Sequence, residues 1–279
     1  LLENVLVGAI DLDEVMAASA GKPMGVKPNY LAKIWRISLE EAERTLNATT
    51  QHQVHRGDPK ITQNYRTNDR MLRYKRLKEY FYTDTFFATS KARKSVRANT
   101  CCQLFVTDKG FLHCIPMKSK GEVLSALKMF AKEIGAPDAI ICDASEEQTS
   151  KTVKAFLNEI GTSLRILEEG THWTNKAKLY VGIIKEAVRR DMKEANCPIP
   201  FWDYCIERRV RISNLTAKDR FNLQGTNAYT QLHHEEGDIS NICQYGWYDW
   251  IYYREHTNKF PFHRDVLGRS LGPAVGEGN

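Results

Sequence analysis

The sequence lacks a run of apolar residues long enough to cross a bilayer, which takes about 18 residues or more. Its first segment also lacks the pattern of a secretory signal peptide, because acidic residues interrupt it from Glu3 to Glu14. No internal repeat is visible. From these absences we expect a protein that neither spans a membrane nor enters the secretory route.

The sequence also lacks an even set of cysteines. It has seven, several of them inside apolar runs. An odd set does not pair off into a disulfide framework, so we expect reduced, buried thiols in an intracellular protein. The chain starts at Leu1 without a Met and ends in the Gly-rich run 276–279, and we expect both ends to be cuts from something longer.

The excess of positive charge is small, but it is unevenly distributed. Net charge is +6 over 279 residues, a length that predicts two domains at roughly 100–200 residues each, with room for a small third. Six basic residues and one acid lie between Arg66 and Lys78, with Tyr65 directly before this run and Tyr74 within it, and a second basic run occupies residues 91–97. Such runs can neutralise phosphates and offer rings to bases, or they can form a solvated charged face.

The first 78 residues have the pattern of helices and loops. Two short helices are predicted at residues 31–35 and 39–46, the second started by a capping box of Ser38 and Glu41. The outline is that of a helix–turn–helix, which is either a DNA-reading pair or an ordinary packed pair. The polar stretch 52–69 is predicted to be a linker.

From Glu79 onward, short β-prone runs alternate with helical periodicity. Ser119 and Glu122 predict a second capping box, and Gly135 and Gly161 are predicted to end helices. The predicted elements are, in order, strands 80–88, 103–106 and 111–115, helix 123–134, strand 139–142, helix 153–160, strand 164–167 and helix 176–195. In the last helix, Leu179, Ile183 and Ala187 are predicted to form the stripe that faces the core.

This order of elements predicts an α/β fold with a mixed five-stranded sheet and helices on both of its faces. A further helix is predicted at 200–218, followed by an aromatic strand at 245–253. We therefore predict a helical N-terminal segment with a basic linker at 1–78, a core at 79–220, and a small β-rich module at 221–279.

Two aspartates stand where a metal site could form. Asp84 lies inside an aromatic, apolar strand, where a carboxylate is costly unless it is paired or binds a metal. Asp143 directly follows a short apolar strand, at the sheet edge where α/β proteins bind ligands. Two such carboxylates suit a divalent cation, although for two aspartates in isolation a strand-edge Asp and a helix cap would be the better explanation.

The sequence segments around these aspartates point to a function more specifically than the aspartates alone. The stretches YFYTDTFFATS, ICDASEEQTS and THWTNKAKLYVGIIKEAVRRDM resemble the catalytic core of retroviral-type integrases, and in particular the copia type of retrotransposon. The resemblance continues in NDRMLRYKRLKEYFYTDTFFATS, IGTSLRILEEGT, WDYCIERR and DISNICQYGWYDWIYYRE, and it covers nearly the whole chain.

The resemblance implies a ribonuclease H-like fold with an Asp-Asp-Glu triad that holds two metal ions. Asp84 and Asp143 match the two aspartates, with 58 residues between them. Asn175 and Ala177 match the start of the family's catalytic helix, where the position of the glutamate reads Lys178. The catalytic positions are therefore expected at Asp84, Asp143 and Lys178, and the metal ligands at Asp84 and Asp143.

The implied function is DNA integration by a transposable element, through trimming of DNA 3′ ends and their transfer into target DNA with Mg²⁺ (or Mn²⁺). Implied partners are element ends, target DNA, further copies of the chain and other parts of the same polyprotein, such as reverse transcriptase. The nucleus is the expected location for integration, after a cytoplasmic particle. The residues expected to contact DNA are Arg70, Arg73, Lys75, Arg76, Lys91, Arg93, Lys94, Lys185 and Arg189.

Two departures from the family pattern matter. His52 and His55 have the spacing of zinc ligands, but no suitably spaced cysteines accompany them, so no zinc is expected. Lys178 replaces a metal ligand with an ammonium, which at 4 Å repels another positive charge by several kcal/mol at an effective dielectric near 20. Since about 1.4 kcal/mol is tenfold in rate, we expect impaired catalysis. Glu186 is about 12 Å further along the helix and too distant to substitute.

Two other functions stay open at this point. The chain could be a non-catalytic DNA-binding or scaffold protein derived from an integrase, with Asp84 and Asp143 as relics. A ribonuclease H-like nuclease with other substrates has less support, because the flanking segments match integrases.

Overall fold

The computed structural model describes residues 25–52, 73–88, 94–168, 174–255, 257, 261 and 263–273. Three of the expected DNA contacts, Arg70, Lys91 and Arg93, lie outside the described residues, as does His55. Among the described residues, no helix combines the length and apolar character that crossing a membrane requires.

The two N-terminal helices are present as predicted. They are α1 (Pro28–Trp35) and α2 (Leu39–Asn47). The capping box is confirmed, because the Ser38 hydroxyl accepts from the Glu41 amide at 3.2 Å while the Glu41 carboxylate accepts from the Ser38 amide at 3.2 Å. A two-residue strand, β1 (Thr49–Thr50), follows.

The predicted mixed five-stranded sheet is confirmed. Its strands are β2 (Arg76–Phe87), β3 (Cys101–Thr107), β4 (Leu112–Met117), β5 (Ala136–Cys142) and β6 (Ser163–Ile166). They lie in the order β4-β3-β2-β5-β6. Strand β3 is antiparallel to both of its neighbours, β2 and β4, whereas β5 and β6 run parallel to β2. The central strand β2 therefore has an antiparallel neighbour on one side and a parallel one on the other.

Helices cover both faces of this sheet. They are α3 (Val123–Glu133), α4 (Lys151–Glu159), α5 (Lys176–Glu194) and α6 (Trp202–Leu215), followed by the short α7 (Ala228–His233). Side chains of α3 and α4 share a hydrophobic core with one face of the sheet. Side chains of α5 and α6 share a second core with the other face.

The capping box predicted at Ser119 and Glu122 is wrong. The Ser119 side chain makes no cap hydrogen bond, and a 3₁₀ turn, Lys120–Glu122, precedes α3. The Glu122 carboxylate instead accepts from the backbone N–H of Lys118 at 2.9 Å. The extra turn moves the start of the α-helix to Val123, so Glu122 stands outside it.

Gly135 links α3 to β5 and sets the close approach of β5 to β2. Its φ is +136°, and a Cβ there would collide with the carbonyl oxygen of Lys75. The next amide, that of Ala136, donates to the same carbonyl at 2.8 Å, which starts the β2–β5 pairing. Glycine at this position therefore brings the two strands of the candidate site together.

The core-facing stripe predicted for the long helix is wrong. Leu179 is 65% exposed and Ile183 is 44% exposed, while Tyr180 and Ile184 are buried against the sheet. The buried series begins at Ala177 and runs through positions 180, 184 and 188, one residue away from the predicted stripe. One residue is a rotation of about 100° on a helix of 3.6 residues per turn, enough to turn the predicted stripe toward solvent.

The segment after α6 packs into the same cores as the rest of the chain. Leu223 and Leu232 join the core under α3 and α4, Trp247 joins the core under α5 and α6, and Ile242 packs against the N-terminal helices. The remaining strands are β7 (Gly237–Asp238), paired with β1, and the hairpin β8 (Trp250–Arg254) and β9 (Asp265–Arg269). The aromatic strand predicted at 245–253 forms only from Trp250 onward, and the region boundaries at 78/79 and 220/221 stay predictions.

Candidate functional site

The C-terminal ends of β2 and β5 bring Asp84 and Asp143 to the same edge of the sheet. The two strands are parallel, and Tyr82 of β2 is level with Ile141 of β5. Asp84 and Asp143 each stand two residues beyond that pair, so they are level with each other. Their roles as catalytic and metal-binding residues stay predictions.

The alternation of side chains along β2 turns Asp84 toward α5. Phe86 and Tyr82 belong to the core that α5 covers, and Asp84 lies between them on the same face. Thr83 and Thr85 therefore point to the opposite face. A helix that starts at residue 176 can consequently present its first turn to Asp84.

Asn175 joins the start of α5 to both strands. Its side-chain carbonyl accepts from the amide of Ala177 at 3.0 Å and so caps the helix. Its side-chain N–H₂ donates to Oδ1 of Asp143 at 3.0 Å and to the carbonyl of Thr83 at 3.3 Å. Since Asn175 is only 1% exposed, these bonds hold the helix start rigidly against the sheet edge.

Lys178 completes this arrangement. Its ammonium lies 2.6 Å from Oδ2 of Asp143 in a partly exposed ion pair. Asp143 thus accepts from the Asn175 amide on one oxygen and from the Lys178 ammonium on the other. The position that holds a glutamate in the resembled family presents a positive charge directly to the second aspartate.

Asp84 experiences the opposing effects of this site. Burial raises the pKa of its carboxyl above the ordinary value, and the negative charge of Asp143 raises it further. The Lys178 and Lys185 ammonium groups and the backbone N–H of Thr85, 2.9 Å from Oδ1 of Asp84, oppose that rise in pKa. Burial and the charge of Asp143 outweigh these groups, so the pKa of Asp84 stays above its ordinary value although Lys178 is nearby.

The donor set at this edge does not fit a two-metal centre. Hard divalent cations take several oxygen ligands, and carboxylates are the usual protein donors. Across the described parts of the chain, no group of three or more His, Cys, Asp and Glu side chains is placed to hold a metal ion. Both oxygens of Asp143 already accept from cationic or amide nitrogen, the ammonium of Lys178 on one and the side-chain amide of Asn175 on the other.

A hydrogen-bonded chain of polar side chains lies on the sheet face opposite Asp84, and it was not predicted from the sequence. Gln148 donates to the Thr85 hydroxyl at 3.4 Å, and Thr85 donates to Gln103 at 2.6 Å. The Gln103 amide then donates to the Thr83 hydroxyl at 2.5 Å. The alternation of threonines at 83 and 85 was the available signal, but their partners come from β3 and a loop and only the tertiary structure supplies them.

Two of the expected DNA contacts lie on α5 beyond Lys178. The Lys185 ammonium lies 5.2 Å from the ring centroid of Phe86, and its charge acts on Asp84, so the structure brings it to the site. Arg189 is exposed and pairs with Glu186 at 3.2 Å. A DNA role for these residues stays a prediction.

The structure separates the first basic run from the carboxylates. Arg76 begins β2, eight residues before Asp84, which is about 26 Å at about 3.3 Å per residue. Its guanidinium donates to the carbonyls of Ile160 at 2.7 Å and Gly161 at 3.0 Å. Arg73 and Lys75 are exposed at this same far end, and Lys94 is exposed beyond the other end of β2.

No protein-family model matches the chain, and no curated protein matches it. The chain is similar to solved structures of the HTLV-2 integrase catalytic core domain in complex with magnesium. The trimeric form has 18% sequence identity and a TM-score of 0.45, over 57% of this chain and 97% of that one. The dimeric form has 18% identity and a TM-score of 0.44, over 58% and 100%.

A simian T-cell lymphotropic virus intasome in complex with the PP2A regulatory subunit B56 gamma is similar over 90% of each chain, with 14% identity and a TM-score of 0.48. Identities of 14–18% and TM-scores of 0.44–0.48 do not extend the ligands or assemblies of those proteins to this chain.

Proposed function

We propose that this chain is an integrase-type protein of a copia-like retrotransposon, with a ribonuclease H-like core, whose DNA end-processing and strand-transfer activities are impaired by Lys178. The observation that carries the proposal is the ion pair between Lys178 and Asp143 at the edge that also bears Asp84. The quoted sequence segments and the bonds of Asn175 support it, because they keep the positions that the resembled family uses.

The residues present would position DNA better than they would cleave it. Asn175 orients Asp143 and fixes the start of α5, and Lys185 adds a second positive charge near Asp84. A phosphate at this edge would be attracted by the ammonium groups of Lys178 and Lys185. What the site lacks for catalysis is a third carboxylate. Position 178 instead carries the ammonium of Lys178, which neutralises the charge of Asp143.

A second candidate is a DNA-binding or scaffold protein that no longer catalyses. The same ion pair favours it, because Asp143 has a permanent cationic partner and needs no other ion for charge balance. The two candidates differ in what a carboxylate at position 178 would do. In a damaged integrase that carboxylate restores activity. In a repurposed protein it does not, because other residues of the site have also changed.

With the first function, the proposed partners are element ends, target DNA, further copies of the chain and other products of the same polyprotein. The proposed location is the nucleus, reached from a cytoplasmic particle. Mg²⁺ or Mn²⁺ would be the metal of the form with a carboxylate at position 178.

The test compares the protein as it stands with Lys178→Glu and Lys178→Ala on a labelled DNA end, with Mg²⁺ and with Mn²⁺. Lys193→Glu is the matched control, because it makes the same charge change at an exposed position of the same helix. We expect all forms to bind DNA and only Lys178→Glu to trim ends and transfer strands. Robust activity of the Lys178 form would overturn the proposal, and an inactive Lys178→Glu form that still binds DNA would favour the scaffold.

A further inference from the structure

The face of the five-stranded sheet that carries Asp84 and Asp143 is only partly covered. Among the described residues, the core under α5 and α6 contains side chains of β2, β3 and β4 but none of β5 or β6. Beside that core, Tyr80 of the central strand β2 is 42% exposed, and Arg165 of the edge strand β6 is exposed as well. The sheet therefore presents an aromatic ring to solvent from its central strand, whose neighbouring Phe81 is fully buried on the opposite face.

The exposed positions belong to rows of residues that lead to the candidate site. Tyr82 of β2, Ile141 of β5 and Arg165 of β6 are level with one another. Tyr80 lies one row before them and Asp84 one row after them, because every second residue of a strand faces the same side. Tyr80 is therefore about 13 Å from Asp84 along the strand, at about 3.3 Å per residue. We call Tyr80, Tyr82 and Arg165 the tyrosine strip.

Arg165 and Tyr80 form an exposed cation–π pair. The guanidinium carbon of Arg165 lies 4.7 Å from the ring centroid of Tyr80, and both side chains keep exposed surface. A planar guanidinium and an aromatic ring are both surfaces on which nucleobases stack. The pair thus joins a stacking surface to a charge that persists at physiological pH.

Tyr82 and Lys176 continue the strip toward the start of α5. The Lys176 ammonium lies 5.6 Å from the ring centroid of Tyr82 and 2.5 Å from Oδ1 of Asp108. Burial raises the pKa of the Tyr82 hydroxyl, and the charge of Asp108 and a hydrogen bond to its carboxylate raise that pKa further. Tyr82 therefore stays a neutral, oriented ring between Tyr80 and Asp84.

The charges along the tyrosine strip suit a polyanion. The cations are Arg165 on the edge strand and Lys176 and Lys178 in the first turn of α5. The nearby acids Asp108 and Asp143 are each in an ion pair with one of these lysines. A DNA strand supplies both groups that rings and cations recognise, a planar base and a phosphate, whereas an apolar peptide supplies neither.

We propose that the tyrosine strip holds an unpaired base at the end of a DNA strand, stacked on the exposed surfaces of Tyr80 and Arg165. The phosphates of that strand then pass Lys176 toward Lys178. Bases within a duplex stack on each other, so only an unpaired base offers its face to a ring. This inference rests on the proposed function, since it names how that site receives a DNA end. The residues of the strip are positioning residues and touch no reacting atom.

Equilibrium titration of the full chain with short DNA duplexes, in the presence of a chelator, tests the proposal. One duplex is blunt, and two others carry a short 3′ or 5′ overhang that ends in the fluorescent base 2-aminopurine. We expect one overhang to bind about tenfold more tightly than the blunt duplex, the size of one base–aromatic stack. Stacking should also quench the fluorescence of that overhang. Equal affinity for all three duplexes overturns the proposal.

Four variants locate the binding. Tyr80→Leu keeps an apolar side chain on the strand but removes the ring, so it should abolish the overhang preference and the quenching, whereas Tyr80→Phe should keep both. Tyr30→Leu is the matched control, because Tyr30 is 40% exposed on α1, outside the sheet. Arg165→Gln should weaken the preference and reduce the slope of log affinity against log salt by about 1.

The thermal midpoint of Tyr80→Leu should stay close to that of the parent, because the side chain is exposed. An overhang preference that survives Tyr80→Leu overturns the proposal, as does an equal loss in Tyr30→Leu.

The failure of this inference and that of the integrase proposal are distinguishable. The overhang preference is measured without metal on the protein with Lys178, so it does not depend on catalysis. If Lys178→Glu is inactive while the overhang preference persists and depends on Tyr80, the integrase proposal fails and the base-stacking inference stands. Activity of Lys178→Glu without any overhang preference has the reverse meaning.

Discussion

The ammonium of Lys178 and the Oδ2 atom of Asp143 lie 2.6 Å apart, at two positions where the resembled family has a glutamate and an aspartate. This pair neutralises the charge of Asp143 from within the protein. It also places the ammonium of Lys178, which is covalently part of the protein, next to Asp143, the residue that the resemblance predicts to hold a metal ion.

The first prediction concerns the response of stability to metal. The protein as it stands should show no rise in thermal midpoint with Mg²⁺ or Mn²⁺, because Lys178 occupies Asp143. Lys178→Glu should be less stable without metal by about 1 kcal/mol, since a partly exposed ion pair becomes a like-charge contact. It should then gain a metal-dependent increase.

Lys178→Met is the control for that experiment, because it loses the ion pair without gaining a ligand. Thermal unfolding of all three forms with and without metal decides the matter. A metal-dependent rise in the midpoint of the Lys178 form would show that the third ligand lies elsewhere.

A second prediction concerns Asn175. Asn175→Ala should destabilise the protein by about 2 kcal/mol, because it removes a helix cap and leaves buried partners without hydrogen bonds. Urea unfolding provides the measurement. Ser38→Ala, at the exposed cap of α2, should cost only about 1 kcal/mol, and equal losses at the two caps would count against the bridging role of Asn175.

The third prediction concerns DNA. Lys185→Gln should weaken DNA binding and reduce the slope of log affinity against log salt by about 1. The reason is that the variant makes one phosphate contact fewer and therefore releases fewer counterions on binding. Lys132→Gln is the control, since Lys132 is exposed on α3, which covers the other face of the sheet. Fluorescence titrations over a range of salt concentrations measure the slope, and an identical slope for the two variants would remove Lys185 from the DNA surface.

A fourth prediction concerns the fully buried Asp191. Its carboxylate pairs with Arg36 at 3.1 Å and with both the Nε and Nη2 atoms of Arg209. Asp191→Asn should therefore destabilise the fold by about 3–5 kcal/mol, because it leaves buried guanidinium groups without a counter-charge. Denaturant unfolding tests this, with Glu186→Gln as the control. The Glu186–Arg189 pair is exposed, so its loss should change stability little.

The last prediction concerns pH. Burial, assisted by the charge of Arg220, lowers the pKa of Lys218 to about 8 from an ordinary 10.5. The folded state therefore loses this proton more readily than the unfolded state, so stability should rise as pH increases from about 8 to 10.5. Lys218→Met should be more stable than the parent near neutral pH and should lack that rise. Unfolding free energies measured across this pH range check it, and a rise of the same size in the variant would assign the effect to another group.

The sequence by itself determined the elements whose signals are local. The capping box of Ser38 and Glu41, the helix stop at Gly135 and the buried run before Asp143 all depend on residues within a few positions of one another. The order of strands and helices then restricts the sheet to few topologies, since parallel strands need crossover connections. The mixed five-stranded sheet was predictable for that reason.

Only the tertiary structure decided which way side chains face and which distant residues meet. The stripe on α5 was misassigned because residues 179 and 180 are both apolar, and the register of the helix on the sheet selects Tyr180. The partners of Thr83 and Thr85 come from segments far apart in the chain. Periodicity cannot report such contacts, because they depend on how whole elements pack and not on the spacing within any one of them.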